Sequence, residues 1–437
     1  MKNNAPHENA FAKLEIEGKV LHLPILMGTE GEKAIDISGL RRRMGFVAYD
    51  PGYADTASCT SAITYVDGEN GVLRYRGYDI EELAARGVKF IPTAWLLIFG
   101  DLPTDDERAK FRELLTTQEL LHEGMLKFFD ALPPHGDPLA ILSAAVQCSS
   151  LYNPEFRSLE PKDTETTMVV AAKLLSKVRT IAAFSYKQAI GEPFVYPNPE
   201  LDYCSNFLHM MFSIPNRLYR APQLVADTLN LFLMLHADHE QNCSTSTVRI
   251  VGSTRANLFD SVSAGISALS GPLHGGANVQ VVRTLERVYN KETTIRAIVE
   301  SVKKKGATRD RFRLSGFGHR VYKNYDPRAR ILKKEVYRLL QSLDIKDPLF
   351  DIAIELEETA LKDPFFQENR IFPNVDFYAG ILLRAIKIPI NMFTVMFAIA
   401  RTAGWIAQWR EEELDPSTRL QRPRQIYVGP PKRNSLI

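Results

Sequence analysis

The chain has 437 residues, 45% of them hydrophobic and 24% charged, which excludes wholesale disorder and predicts two or three domains, or one large domain with an insert. Lys and Arg number 54 and Asp and Glu 52, and the resulting formal charge of +2 argues against a protein that binds polyanions over its whole surface. The four cysteines are far apart and include no CxxC pair, which excludes a disulfide framework and suits a reducing compartment.

No targeting or membrane-spanning segment is evident in the sequence. Residues 1–10 are polar, without the apolar core of a signal peptide or the Arg-rich pattern of a transit peptide. The longest apolar run, Ile388 to Ala400, is shorter than the roughly 20 residues that span a membrane. We therefore expect a soluble, cytoplasmic protein.

The N-terminal part of the chain has the alternating pattern of strands. Leu14 and Ile16 alternate with charged residues before a turn at Gly18. A second hairpin is predicted from Ile63 to Tyr75, with DGENG at residues 67–71 as its turn.

From about Ile80 onward, apolar residues recur at helical spacing, and Pro and Gly separate the segments. The predicted helical segments include residues 95–97, 114–121, 139–146, 168–175, 224–235 and 259–269. The sequence therefore predicts a mainly α protein with a small N-terminal β extension.

One stretch departs from the even charge balance. Between Lys303 and Lys334 there are twelve Lys or Arg residues and two Asp, a local formal charge of +10. The stretch contains SGFGHRVY, in which Gly316 and Gly318 allow a ligand to approach the backbone closely. A solvated helix face accounts for the charge alone, but the glycines, His319 and the cations together suggest a pocket for a multiply charged anion.

His236 and His239 occur in HADHEQN, where a spacing of three on a helix would place both rings on one face. A metal site that includes Asp238 or Glu240 is one interpretation, although HExxH is absent and no third ligand follows at a suitable spacing. A buried structural pair is favoured over it, and a hydrogen-bond donor to a substrate comes next.

His274 lies in GPLHGGAN, in a glycine-rich turn before a helix predicted to start near Asn278. The positive end of the helix dipole disfavours imidazolium, and a neutral imidazole can donate a hydrogen bond to a developing enolate oxygen. A histidine that only caps the helix is the plain alternative. A nucleotide P-loop is excluded because the Gly-Lys-Ser/Thr ending is missing.

Asp376 lies in PNVDFYAG, in the first turn of a helix predicted to open at residues 373–374 and to run to about Ile386. An aspartate in this position is often only a partner of the helix dipole. Its neighbours Phe377 and Tyr378 suggest an apolar pocket, which would raise the pKa of the carboxyl and make it a better base.

Three arginines are candidates for binding a carboxylate. Arg401 occurs within an apolar helical pattern, Arg328 in YDPRAR and Arg422 in the extended segment QRPRQIY. A buried arginine needs a partner, which is either an internal acid or a substrate carboxylate. Together with a carboxylate base and histidine donors, these residues favour proton abstraction next to a carbonyl, followed by carbon–carbon bond formation.

These motifs, in their order and spacing, resemble those of the citrate synthase family. The matching segments are ITYVDGENGVLRYRGY, HADHEQNCSTSTVR, GPLHGGAN, GFGHRVYKNYDPRA, PNVDFYAG, ARTAGWIAQW and RPRQIYVG. The resemblance covers about Leu14 to Gly429 and implies a citrate synthase-like fold of large and small helical domains. The N-terminal β extension (1–45) is similar to that of a bacterial subgroup. The resemblance implies a large domain from 46–278 and 391–437, and a small domain, 279–390, that closes over the cleft.

The resemblance implies the condensation of acetyl-CoA with oxaloacetate, followed by hydrolysis to citrate and CoA, without a cofactor or a metal. Asp376 matches the base that removes the acetyl methyl proton, and His274 matches the group that stabilises the enolate. His319 matches the donor to the oxaloacetate carbonyl. The positions that match oxaloacetate-binding residues are His239, Arg328, Arg401 and Arg422, the last of which reaches into the partner subunit's site. The positions that match CoA contacts are Gly316, Gly318, Lys323 and Asn374.

The resemblance also implies at least a homodimer, and extended members often form hexamers as trimers of dimers. Some of them are inhibited by NADH, for which Tyr152, Lys173 and Lys177 are the candidate residues here. Asn216 stands where that site is expected to carry a cysteine. NADH control is therefore not predicted.

Three other functions stay open. One is 2-methylcitrate synthase, which uses propionyl-CoA, because an extra methylene changes binding by only about 1–3 kcal/mol and leaves the catalytic residues the same. Another is a metal-dependent lyase or hydrolase built on His236, His239 and Glu240. The third is a CoA- or nucleotide-binding module without activity. No nucleic acid or membrane partner is expected.

Overall fold

The computed structural model describes residues 10–154, 163–305 and 314–433. The chain divides into two compact units, one formed by residues 1–61 with 422–437 and the other by residues 62–421. The predicted fold class, mainly α with a small N-terminal β region, is confirmed. The domain boundaries predicted after residues 45, 278 and 390 stay predictions.

The first unit contains a small antiparallel sheet and a short helix. Strands β1 (Phe11–Ile16), β2 (Lys19–Met27) and β3 (Lys33–Ile35) lie in chain order, and helix α1 (Leu40–Met44) follows. Glu17 and Gly18 both have positive φ between β1 and β2, which is the two-residue hairpin turn expected at Gly18. The buried apolar cluster of this unit is Leu21, Leu23, Leu40 and Met44.

The second unit begins with the second predicted hairpin. Strand β4 (Thr64–Asp67) pairs with β5 (Val72–Tyr75), and β6 (Tyr78–Asp79) pairs with β5. The DGENG turn packs closely on the segment 321–325. A Cβ at Gly68 would lie 2.2 Å from the Val321 carbonyl oxygen, and the Lys323 N–H donates to the Gly68 carbonyl at 2.9 Å. The hairpin therefore supports the end of the predicted glycine loop.

Helices follow in the rest of the second unit. They are α2 (Ile80–Ala85), α3 (Phe90–Phe99), α4 (Asp105–Thr117), α5 (Gly124–Asp130), α6 (Pro138–Ser149), α7 (Thr164–Ile190), α8 (Tyr203–Phe212), α9 (Gln223–Leu235), α10 (Cys243–Gly252), α11 (Leu258–Ala268), α12 (Ala277–Tyr289), α13 (Ile295–Lys305), α14 (Pro327–Ser342), α15 (Pro348–Lys362), α16 (Pro364–Glu368), α17 (Val375–Ala385) and α18 (Phe393–Leu414). Many start at an Asp, Asn or Thr that accepts a backbone N–H, as α4 does in the capping box of Thr104 and Glu107.

The predicted helical segment 114–121 is partly wrong, because α4 ends at Thr117. The chain then turns onto α7, where the Thr180 hydroxyl donates to the Glu119 carbonyl at 2.9 Å and the Lys177 ammonium donates to the Leu120 carbonyl at 2.7 Å. Side chains of α7 therefore satisfy carbonyl groups that a longer α4 would have used internally.

Helix α18 forms the centre of the second unit. Together with the 3-10 turn before it, Ile390–Leu414 has 25 residues and a stretch of mean hydropathy 1.3, which makes it long and apolar enough to cross a membrane. The sequence analysis ended this apolar run at Ala400 and therefore underestimated its length. However, 78% of that stretch is buried inside the protein, where it packs against α3, α9, α10 and α11. The helix is therefore part of the core.

A glycine lets α18 approach the loop between α9 and α10. A Cβ at Gly404 would lie 2.4 Å from the Ala237 carbonyl oxygen and 2.4 Å from Asp238 Oδ1. The Gly404 N–H donates to the same Ala237 carbonyl at 3.0 Å. This close approach brings Arg401, one turn earlier in α18, to the loop that contains His236 and His239.

Gly265 is expected to be required where α11 packs on α10 and α18. A Cβ there would lie 2.6 Å from Val248 Cγ2 and 3.1 Å from Trp405 Cε2. Gly265→Ala should lower the free energy of unfolding by about 1–2 kcal/mol, because overpacking outweighs the better helix propensity of alanine. Gly271→Ala is the matched control, since no atom lies within 4 Å of its Cβ position. Chemical denaturation compares the two variants, and an equal loss in both would contradict the packing argument.

Candidate active site

The loop between α9 and α10 carries the two histidines of HADHEQN. Helix α9 ends at Leu235, so His236 closes the helix and His239 lies in the loop. The prediction that both rings share one helix face is therefore wrong. The reason is tertiary, because the buried Tyr75 hydroxyl donates to the Asp238 carbonyl at 3.0 Å and holds the chain in the turn.

His236 is enclosed by aromatic rings. Its ring centroid lies 4.3 Å from that of Phe232 and 4.4 Å from that of Phe397, and its Nδ1 donates to the Phe232 carbonyl at 2.7 Å. Burial lowers its pKa to about 3, so the ring is neutral. These contacts favour the structural role over metal binding. In the part of the chain that the structure describes, no three His, Cys, Asp or Glu side chains are placed to hold a metal.

His239 joins this loop to the glycine loop. Its Nε2 lies 3.1 Å from the Tyr322 hydroxyl, and its ring centroid lies 5.3 Å from that of His319. Burial lowers the pKa of His239 well below its usual value, and the positive charges of Arg328 and Arg401 lower it further. The ring is therefore neutral at physiological pH.

His274 lies in the turn before α12, as the sequence predicts. The Ser244 backbone N–H donates to its Nε2 at 3.1 Å, and the Ser244 hydroxyl lies 3.0 Å from the same atom. Burial lowers the pKa of His274 to about 4, with a further contribution from the charge of Arg401. The ring is therefore neutral, and its proton is on Nδ1, because Nε2 accepts.

His319 is held by its own loop in the opposite tautomer. Its Nδ1 accepts the backbone N–H groups of Val321 at 3.0 Å and Tyr322 at 3.1 Å. An atom that accepts two N–H groups carries no proton, so the N–H of this ring is on Nε2.

The glycine loop is attached to the segment that starts α17. The Gly318 N–H donates to the Phe372 carbonyl at 2.7 Å, and the Asn374 N–H donates to the Gly316 carbonyl at 2.8 Å. Both glycines have positive φ, and a Cβ at Gly316 would lie 2.7 Å from Val281 Cγ2. His319 and Asp376 therefore lie in two segments of the chain that are hydrogen-bonded to each other.

Asp326 holds Arg328 beside the start of α17. Its carboxylate accepts Arg328 Nε at 3.1 Å and Nη2 at 2.9 Å, and it also accepts the Val375 N–H at 3.0 Å. The Arg328 and Asp326 side chains are only 3% and 1% exposed. Burial alone would raise the pKa of Asp326, but the charge and hydrogen bonds of Arg328 hold it below its usual value.

Asp376 follows in the first turn of α17, whose N-cap is Asn374, as predicted. Burial raises its pKa to about 6, while the charges of Arg328 and Arg401 oppose this rise and Asp326 adds to it. A carboxyl group with such a pKa is a stronger base than an exposed aspartate and is still ionised at pH 7.

Arg401 is a buried cation, 6% exposed, whose Nε donates to the His236 carbonyl at 2.9 Å. Among the described residues no carboxylate forms an ion pair with it. Burial lowers its pKa, and the charge of Asp238 opposes that effect. A guanidinium that is buried without a close acid is costly unless an anion binds beside it. The sequence analysis left open whether an internal acid or a substrate carboxylate pairs with Arg401. Among the described residues no internal acid forms that ion pair.

These predicted residues form one electrostatic cluster within the second unit. The charge of Arg401 acts on the pKa values of His239, His274 and Asp376, and that of Arg328 acts on His239 and Asp376. His319 joins the cluster through its ring contact with His239. A carboxyl group with a raised pKa, two imidazoles with assigned N–H positions and two guanidinium groups are thus brought together from four separate segments of sequence.

The predicted CoA positions differ in their surroundings. Asn374 has both ends of its amide engaged, since Nδ2 donates to the Gly318 carbonyl at 2.8 Å and Oδ1 accepts the Asp376 N–H at 3.0 Å. Lys323 is exposed and pairs with Glu69 of the DGENG turn. An exposed pair contributes only about 0–1 kcal/mol, so Glu69 holds Lys323 weakly.

The structure describes only part of the basic stretch. Arg309, Arg311 and Arg313 lie outside the described residues, and so does the side chain of Lys305. Lys303 pairs with Glu300 and Asp363, and Lys333 pairs with Glu357. Internal acids therefore neutralise part of the charge that the sequence assigned to a ligand pocket.

Arg422 belongs to the other unit, where it is exposed in an extended segment, and its role at a partner's site stays a prediction.

The NADH candidates have internal contacts. Lys173 donates to Asn153 Oδ1 at 3.1 Å, and the Tyr152 ring stacks on His122 at 4.4 Å.

Several residues of the site were missed by the sequence analysis. Ser244 sets the tautomer of His274, Tyr322 contacts His239, and Asp326 pairs with Arg328. An Asp-Pro pair is a common helix start, and this signal could have identified Asp326 as an N-cap whose side chain is held in place. No pattern in the sequence points to Ser244, because its backbone N–H and hydroxyl contact a histidine 30 residues away.

Known proteins with a similar sequence and fold are citrate synthases. The family described as "Citrate synthase, C-terminal domain" matches residues 52–424. Citrate synthase from Pyrobaculum aerophilum is 32% identical, with a TM-score of 0.79 over 98% of this chain and 99% of that chain. The enzyme from Thermoplasma acidophilum, solved in a ternary complex with carboxymethyl coenzyme A and oxaloacetate, is 31% identical, with a TM-score of 0.76 over 87% and 96%. That from Thermotoga maritima is 32% identical, with a TM-score of 0.74 over 89% and 98%. This chain belongs to the citrate synthase family.

Proposed function

We propose that this protein is an acyltransferase that condenses acetyl-CoA with oxaloacetate and water to give citrate and CoA, the reaction that begins the tricarboxylic acid cycle. The observation that carries the proposal is the carboxyl of Asp376, with a pKa of about 6, in one cluster with oriented neutral imidazoles and buried guanidinium groups. The Thermoplasma acidophilum relative, in complex with a CoA analogue and oxaloacetate, supports both substrates.

In the first step, Asp376 removes a proton from the acetyl methyl group while His274 donates a hydrogen bond from Nδ1 to the thioester oxygen. His274 is suited to this because the Ser244 N–H occupies its Nε2 and leaves the proton on Nδ1. A neutral imidazole donates a hydrogen bond to the developing enolate oxygen and keeps its own proton.

In the second step, the enolate carbon attacks the oxaloacetate carbonyl, and His319 donates from Nε2 to the carbonyl oxygen. The two backbone N–H groups on Nδ1 keep the donor on the correct side of the ring. Arg401 and His239 bind oxaloacetate, as does Arg328, whose Nε and Nη2 are engaged by Asp326. That pair leaves Arg328 Nη1 as the group for a substrate carboxylate.

We further propose that residues 279–390 close over the rest of the unit, excluding water during condensation and admitting it for hydrolysis of the citryl thioester. Gly316, Gly318, Lys323 and Asn374 contact CoA, and no cofactor or metal takes part. The protein acts in the cytoplasm as a homodimer at least, and as a hexamer of three dimers, with Arg422 reaching into the partner's site.

The function is tested by thiol release with acetyl-CoA and with propionyl-CoA, each with and without oxaloacetate. We expect oxaloacetate-dependent release with kcat/KM higher for acetyl-CoA. Asp376→Asn should lower kcat by about 10²–10⁴-fold, the range for one general base, with little change in oxaloacetate affinity. A tenfold preference for propionyl-CoA would show a 2-methylcitrate synthase instead. Loss of activity on exhaustive chelation would favour the metal-dependent lyase or hydrolase, and absence of turnover with both thioesters would favour the binding module.

The raised pKa of Asp376 predicts a pH-dependent cost in stability. Between about pH 4 and pH 6 the folded protein keeps a proton that the unfolded chain has released, so its stability falls as the pH rises through this range. Asp376→Asn should therefore be about 1–3 kcal/mol more stable than the wild type at pH 7.5 and no more stable at pH 4. Denaturant midpoints at the two pH values measure this, and a difference that does not depend on pH would contradict it.

Arg401→Gln should raise the KM for oxaloacetate by about 10–100-fold, because a buried charge-assisted contact is lost. The KM for acetyl-CoA should change less than about twofold, since this guanidinium is assigned to the keto acid. Arg410→Gln is the matched control on the same helix, where Nη1 donates to the Ile98 carbonyl at 2.7 Å. Steady-state kinetics of the three proteins decide the matter, and an unchanged oxaloacetate KM in Arg401→Gln would remove this residue from the site.

A further inference from the structure

The second unit contains, apart from the candidate active site, a cavity of about 530 Å³, which is within the size range of small-molecule sites. It lies between the connection from α2 to α3, helices α4 and α7, and the start of α8. None of the residues that line it is assigned a role in the condensation. Its walls include Val88, Ile91 and Leu102, which offer apolar surface.

A buried arginine with two unused nitrogens lines this cavity. Arg179 of α7 is 3% exposed, and its Nη2 donates to Glu119 at 2.6 Å while its guanidinium lies over the Tyr203 ring, 4.8 Å from the centroid. Asn206 Nδ2 donates to the same Glu119 oxygen at 3.2 Å and fixes the carboxylate. Arg179 Nε is buried without a hydrogen-bond partner among the described residues, and Nη1 has no partner there either but is not fully buried. An unsatisfied N–H of a charged group is costly, and an acceptor in the cavity would relieve that cost.

The lining of the cavity carries an excess of positive charge. Its ionisable residues are Arg86, Lys89, Arg108, Arg112, Arg179, Glu119 and Asp202, which give a formal charge of +3. Arg86, Lys89 and Arg108 are in exposed pairs with acids outside the cavity. Arg112 is exposed and has no ion-pair partner in the described ranges. The local charge contrasts with a chain that is close to neutral.

We propose that this cavity binds a small organic polyanion, with two or more phosphate or carboxylate groups on a body with apolar surface. One anionic group accepts from Arg179 Nη1, and another is held by Arg112 at the rim. The body covers the apolar walls at Ile91 and Leu102. Arginine suits this role because its planar fork matches both phosphate and carboxylate oxygens.

The test is calorimetric titration of the full-length protein in excess CoA and oxaloacetate, which fill the proposed active site. The probes are ADP for the phosphate class and benzene-1,3,5-tricarboxylate for the carboxylate class, with adenosine as the uncharged control. At least one polyanion should bind and adenosine should not. Whichever polyanion binds more tightly identifies the class of anionic group.

Arg112→Gln and Arg179→Gln should each weaken that binding at least about tenfold, as expected for loss of a charge-assisted contact, and should leave kcat and KM unchanged. Lys110→Gln is the matched control, because Lys110 lies on the same helix, outside the cavity, and pairs with Glu165 at 2.6 Å. Absence of binding by both polyanions would overturn the proposal, as would binding that neither arginine variant weakens or that Lys110→Gln weakens equally. Should Arg179→Gln fail to fold, the exposed Arg112→Gln decides alone.

Discussion

The buried pair of Asp326 and Arg328 is the contact on which the candidate site depends. Asp326 starts α14, accepts two nitrogens of the Arg328 guanidinium and accepts the first N–H of α17. Burial of two charges is tolerated only when both are paired and hydrogen-bonded, and this pair is. The carboxylate therefore holds an arginine at a fixed distance from the helix turn that carries Asp376.

Around this pair, backbone groups decide which side of each imidazole carries the proton. A backbone N–H occupies Nε2 of His274, and two backbone N–H groups occupy Nδ1 of His319. Because these donors cannot change their protonation state, the tautomers stay fixed as long as the loops stay folded. The site thus combines neutral donors whose direction is set by main chain with a carboxyl whose pKa is set by burial.

The electrostatic balance also explains why the cluster suits an anionic substrate. Arg401 is buried without an ion-pair partner in the described part of the chain. By contrast, Asp326 pairs with one edge of the Arg328 guanidinium. Burial lowers the pKa values of the neighbouring histidines, and the positive charge of these arginines lowers them further. A bound dicarboxylate would place negative charge beside the Arg401 guanidinium, with which none of the described carboxylates forms an ion pair.

The sequence by itself determined the mainly helical fold, both N-terminal hairpins, the start of α17 at Asn374 and the residues of the cluster, because periodicity, turn chemistry and ordered motifs are local or nearly local signals. It failed where long-range contacts override local preference. His239 lies in a loop and not in the predicted helix, because Tyr75 holds that loop. Helix α4 ends earlier than predicted, because side chains of α7 satisfy the carbonyl groups that follow it. Only the tertiary structure decided the tautomers of His274 and His319, the pKa of Asp376 and the partners of the two arginines. The tautomer of His274 and the pKa of Asp376 depend on burial and on groups far away in sequence, whereas the tautomer of His319 depends on the conformation of its own loop, which the 372–374 segment holds in place.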